Sequence, residues 1–105
     1  MTLSEMTQED RDLLGRCLRA AANGPFFPDW EFHTLFGLER AKVAAIAARW
    51  PHVDGDDEDV RLAINNALAN LLGYPHDEPE AFKQWIGEPS EEVERVFKKW
   101  RECGV

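Results

Sequence analysis

Val60, Ile64, Ala67, Leu68 and Leu71 follow one another at spacings of 4, 3, 1 and 3 residues. That rhythm returns every one of them to the same face of a helix with 3.6 residues per turn, and would scatter them over both faces of a strand. A helix from about Asp57 to Leu72, ended by Gly73, is the consequence. Glycine and proline cut the rest of the chain at Gly24-Pro25, Pro28, Gly37, Pro51, Pro75, Gly87 and Pro89, and no stretch between two cuts alternates with period 2 for long enough to form a strand. No internal repeat is visible. The expected fold is all-α: a compact, irregular bundle of five or six helices with short loops, in a single domain.

The other segments carry their own signals. Thr7 with Asp10 three positions later is a capping-box-like start, and Leu13, Leu14, Cys17, Leu18 and Ala21 give the first helix its apolar side up to Asn23-Gly24-Pro25. Gly15 inside that helix costs about 1 kcal/mol relative to Ala, which predicts either a close approach of another backbone or a locally weak helix. In FFPDWEFHTLFG half the positions are large and apolar, so the segment is expected to be largely buried, with a short helix opening at Pro28 or Asp29 and closing at Gly37. Residues from Glu39 to about Arg49 are rich in alanine and predict a closely packed, central third helix, limited by Pro51 after Trp50. A short helix near Pro79 to Ile86 breaks at Gly87. Pro89, Ser90 and Glu91 begin the last, with Val93, Val96, Phe97 and Trp100 inward and Arg95, Lys98, Lys99 and Arg101 on its outer or C-terminal side. Residues 1–6 are expected to be flexible and 103–105 frayed.

Several classes are disfavoured at once. The longest apolar run, Val43 to Ala48, is far short of the roughly 20 residues a membrane span needs, and MTLSEMTQEDR has neither the basic nor the apolar region of a secretory signal. Cys17 and Cys103 sit in no CxxC or Cys/His metal spacing, so a cytoplasmic protein with reduced thiols is expected, Cys17 in the core and Cys103 exposed. With 44% hydrophobic residues and four tryptophans in 105 residues, the chain has enough apolar bulk for one core without staples. Trp30, beside a proline turn, is the tryptophan most expected at a surface contact.

Charge is where the chain departs from the ordinary. The net charge is -8, and residues 51–80, with eight acids against one base, hold -7 of it. The acids form two groups, Asp54, Asp56, Asp57, Glu58 and Asp59, then Asp77, Glu78 and Glu80. The first group tests badly as a calcium loop of the EF-hand type. Counting from Asp54, position 6 is Asp59 where the sharp turn needs glycine, and position 12 is Asn65 where a bidentate glutamate is needed. As the start of a helix it is better explained, since carboxylates favour the N-terminal dipole and one can cap it. That accounts for part of the group and leaves the rest for a basic partner. Between the two groups, Asn65, Asn66 and Asn70 lower helix propensity without aiding a core. Asn66 and Asn70 share a face, and either bond to neighbouring loops or contact a partner.

Two other chemistries leave partial signals in the chain. Gly37, Leu38, Val43 and Ile46 meet the spacing of a turn glycine followed by apolar residues one, six and nine positions on, so residues 33–49 resemble a helix-turn-helix. Its second helix would offer Glu39, Arg40, Lys42 and alanines to the bases, with His33 where such motifs have a small residue, and the net negative charge opposes phosphate binding. For catalysis, His33, His52 and His76 stand apart, without HExxH, GxSxG or a phosphate loop. His76-Asp77-Glu78 is expected to be surface residues in a loop, and a small enzyme is the third reading. No cofactor or metal is called for. The expectation is therefore a non-catalytic, acidic protein-binding module for an unknown basic protein, of the general character of small inhibitors or immunity-type proteins. Its contact residues would be Asp54, Asp56, Asp57, Glu58, Asp59, Asn66, Asn70, Tyr74, Asp77 and Glu78.

Overall fold

Six helices account for the chain in the computed structural model, which describes residues 6–103: α1 (Gln8–Asn23), α2 (Asp29–Phe36), α3 (Arg40–Arg49), α4 (Glu58–Gly73), α5 (Pro79–Ile86) and α6 (Ser90–Cys103). Among the described residues there is no strand. A radius of gyration of 12.4 Å is that of a single globule of this length. No helix among the described residues is long and apolar enough to cross a membrane. The expectations for residues 1–5, for 104 and 105 and for the Cys103 thiol lie outside the described residues. Met6 is buried, 3% exposed, although it was expected to belong to a flexible lead.

The helix boundaries follow the local chemistry. Thr7 caps α1, its hydroxyl accepting from the Asp10 amide at 3.1 Å. Asp57 caps α4 in the same way through the Val60 amide, also at 3.1 Å. Gly37 and Gly87 close α2 and α5 with positive φ values of 70° and 75°, the left-handed geometry that a side chain disfavours. The α4 stripe, Val60, Ile64, Ala67, Leu68 and Leu71, is buried throughout.

α1 is the central element, packing on α3, α4, α5 and α6; the alanine-rich α3 packs closely on it as expected, but is not itself the centre. That helix buries Val43, Ile46 and Ala47 but exposes Ala41, Ala45 and Ala48, so three of its five alanines line solvent. The Gly15 expectation is also corrected. What approaches is a side chain: a Cβ at position 15 would lie 2.5 Å from Trp50 Cδ1. The Trp50 indole occupies the gap the glycine leaves, and its Nε1 donates to the Arg11 carbonyl at 2.9 Å.

α6 is latched to α1 by charge. Asp10 is buried, 4% exposed, and accepts from Arg95 Nη2 at 2.8 Å and Lys99 Nζ at 3.0 Å. These two bases were expected on the outer face of α6; they turn back because a buried carboxylate needs partners more than exposed ammonium or guanidinium groups need open water. The Arg95 hydrogen bond is the main cause holding the Asp10 carboxyl below its ordinary value of 3.8, against burial, which acts the other way. Glu92 first, then Asp10, hold Arg95 in its charged form.

Candidate interaction surface

Contacts in register fix how α2 lies on α4. Asn66 Nδ2 donates to the Phe36 carbonyl at 2.8 Å, Asn70 Nδ2 donates to the Leu35 carbonyl at 3.0 Å, and the Tyr74 hydroxyl donates to Glu31. Rising numbers on one helix meet falling numbers on the other, so α2 is antiparallel to α4 with its N-terminus at the α4 C-terminal end. Phe32 and Phe36 point into the core, stacked 4.2 Å apart. Glu31 and Leu35 face α4. The opposite face carries Trp30, His33 and Thr34 into solvent, and Trp30 is 81% exposed.

This exposure is not the result of a loose helix. Arg40 of α3 reaches beneath α2, donating to the Ala22 carbonyl at 2.9 Å and to the carbonyls of Ala21 and Phe27. Its guanidinium lies 4.4 Å from the Phe32 ring centroid, and its Nε is 2.8 Å from the exposed Asp29 carboxylate, an ionic contact and not an aligned hydrogen bond. One side chain therefore ties together the end of α1, the α1–α2 loop, the start of α2 and α3. Trp30 projects from a fixed platform. FFPDWEFHTLFG, expected to be largely buried, is so for its four phenylalanines and not for Trp30.

The loop after α4 completes this end of the molecule. The Tyr74 ring packs on Phe27 with centroids 5.5 Å apart, and its hydrogen bond to Glu31, the main cause, pushes the phenol above its ordinary value of 10. His76 is half-buried and held on several sides, not a free surface residue. Its ring meets Phe26 edge-on at 5.0 Å and stacks on Phe82 at 6.2 Å. Nδ1 accepts from the Glu78 amide, which leaves Nε2–H to donate to the Leu71 carbonyl, both at 3.1 Å. Asp77 is exposed and Glu78 half-buried. Asp77 has φ 52°, in the left-handed region that aspartate tolerates better than most residues.

The two acidic groups stand at opposite ends of α4, which at 16 residues is about 24 Å long. They do not form one patch. Within the first, Asp57 is the helix cap, Asp54 Oδ1 accepts from the Asp56 amide at 2.9 Å, and Asp59 lies 3.5 Å from Lys42. Asp56 and Glu58 are exposed. The fold thus uses three of these five carboxylates. Asn66 and Asn70 are likewise taken up by the last carbonyls of α2, and Asn65 bonds to Asn66 at 3.2 Å. Of the residues named from sequence, Tyr74 meets the first turn of α2 through Glu31, and Asp77 and Glu78 follow it in the loop between α4 and α5.

The helix pair foreseen at residues 33–49 is present as α2, a turn at Gly37 and α3. Of the three bases in its second helix, Arg40 is engaged in the interior and Lys42 with Asp59, while Arg49 in the last turn is exposed and alanine makes up much of the open face. Arg40, Glu31 and Asp10 were missed as structural charges. Asp10 had a legible signal, since it lies three and four residues before Leu13 and Leu14 on the apolar side of α1. Among the described residues no group of three or more His, Cys, Asp or Glu is arranged to hold a metal ion. Compared with protein-family models, with curated proteins and with solved structures, the chain has no match.

Proposed function

We propose that the protein is a non-catalytic binding module for a basic protein partner, acting in the cytoplasm in the manner of an inhibitor or immunity-type protein. Its contact residues are Trp30 and Asp29 on α2 and Tyr74, Asp77 and Glu78 after α4. The observation that carries the reading is the 81% exposure of Trp30 on a helix clamped by Arg40. Leaving an indole in water forgoes about 1.5 to 3 kcal/mol of burial, and tryptophan is the side chain most enriched among the dominant contacts of protein interfaces. Negative charge around it steers a cationic partner and raises its rate of capture. Asp56 and Glu58, at the far end, add to that long-range field without touching the partner. Both nitrogens of His76 are engaged by backbone groups, which favours a rigid wall over a proton-transfer role.

Capture by the immobilised chain from its native cell tests the reading. A basic protein should be retained by wild type, in a salt-dependent manner, and lost on Trp30→Ala by roughly 30-fold or more in affinity, the size of a dominant interface contact. Asp77→Lys should weaken it more than Asp56→Lys. Because Trp30 makes so little contact with the fold, its replacement should leave thermal stability unchanged. Equal capture by wild type and Trp30→Ala would refute the proposed surface.

A further inference from the structure

Residues 74–79 turn over the end of α4 and leave an open cleft of about 460 Å³ against α5 and α6. Its apolar walls come from Leu72, Pro75, Pro79 and Phe82. Asp77, Glu78 and Glu94 complete its lining, and no lysine or arginine is among the lining residues described. The back of the cleft is stiff, because the His76 ring packs with Phe26 and Phe82, which also meet each other, and is pinned at both nitrogens. Beside it, Asp77 is kept in a left-handed conformation by the turn, a local strain the surrounding structure has to maintain.

An apolar concavity with carboxylates of one sign around it discriminates by chemistry. An apolar side chain gains by leaving water, a cation beside it gains from the lining carboxylates, and an anion is repelled. We infer that the cleft receives a cationic peptide segment of the partner, with one bulky aliphatic side chain against Leu72 and Phe82 and lysine or arginine on either side facing Asp77, Glu78 and Glu94. This rests on the reading of the protein as a module for a basic partner, and adds what that partner must present.

The probe is the end-blocked tetrapeptide Lys-Leu-Leu-Lys, added to the full isotope-labelled chain while backbone amide shifts are followed, with Glu-Leu-Leu-Glu and Lys-Ser-Ser-Lys as comparators. Lys-Leu-Leu-Lys should move the amides of Leu72, Tyr74, Asp77, Glu78 and Phe82, and bind about ten-fold or more tightly than either comparator. Asp77→Lys combined with Glu94→Lys, both exposed positions, should remove that preference and favour Glu-Leu-Leu-Glu. Equal binding of the acidic peptide would overturn the electrostatic part, and equal binding of the serine peptide the apolar part. No shift, or shifts elsewhere, would overturn the site. Trp30→Ala should leave peptide binding intact, so the two surfaces can fail separately. If the peptide fails and Trp30→Ala still abolishes partner capture, the cleft alone is refuted; if the peptide binds and capture survives Trp30→Ala, the Trp30 contact alone is refuted.

Discussion

Asp10→Asn keeps the volume of the side chain and removes the charge that joins α1 to α6. Two charge-assisted hydrogen bonds are weakened, to Arg95 at 2.8 Å and to Lys99 at 3.0 Å. Such bonds contribute about 1.5 to 3 kcal/mol each when the partner group is left buried. Here the side chains of Arg95 and Lys99 are 50% and 36% exposed and Arg95 keeps Glu92 at 3.1 Å, so both cations rehydrate and the combined loss falls to about 2 kcal/mol. For a domain of this size that lowers Tm by about 8 to 16 °C. The pH dependence has a definite sign. The Asp10 carboxyl is depressed in the folded state, so its contribution is fully present above its ordinary value of 3.8 and is lost as pH falls through the lower folded value. Urea titrations of wild type and Asp10→Asn should therefore differ by a constant amount near neutrality and converge below pH 3.8. The exposed neighbour serves as control: Asp12→Asn should change little. If Asp10→Asn matches wild type at neutral pH, or the gap between them does not close in acid, the latch is not the stabilising contact described.

Three further outcomes are expected. Gly15→Ala should destabilise, by about 1 kcal/mol in chemical denaturation, because overpacking against the Trp50 ring outweighs the gain in helix propensity; a rise in stability would contradict the packing. In a Cys103→Ser chain, Cys17 should resist a thiol reagent at mildly alkaline pH until the protein unfolds, since burial pushes its thiol up to about 12. Tyr74 is the only tyrosine in the chain, so tyrosinate absorbance reports it alone: it should ionise above its ordinary value of 10, and Glu31→Gln should bring it back down.

Helix positions were readable because caps, glycine stops and the apolar stripe of α4 are local signals, each complete within a few residues. Position within the bundle was not. The alanines of α3 suggested a crowded centre, yet small side chains also serve on a solvent face, and only the partners of α1 decide between the two. The contact surface shows the same division. Trp30 lies off the Phe32–Phe36 face by helical spacing, and its exposure was legible. The charges misled, because a carboxylate that caps its own helix and one that waits for a partner are the same letter. For Asn66 and Asn70 the reading of bonds within the fold holds, but the partners were not legible: their amides donate to the carbonyls of Phe36 and Leu35, 30 and 35 residues away, and no spacing rule reaches that far.

Arg40 has a thermodynamic consequence. α2 has eight residues, too short to be stable by itself, and opening it would expose the buried Phe32 and Phe36 and break its contacts with Arg40, Asn66, Asn70 and Tyr74. Its amides should accordingly exchange with solvent only when the whole domain unfolds, with no separate fraying process. A ligand held by Trp30 is then linked to global folding, and raises the melting transition as one cooperative unit in proportion to the logarithm of its concentration.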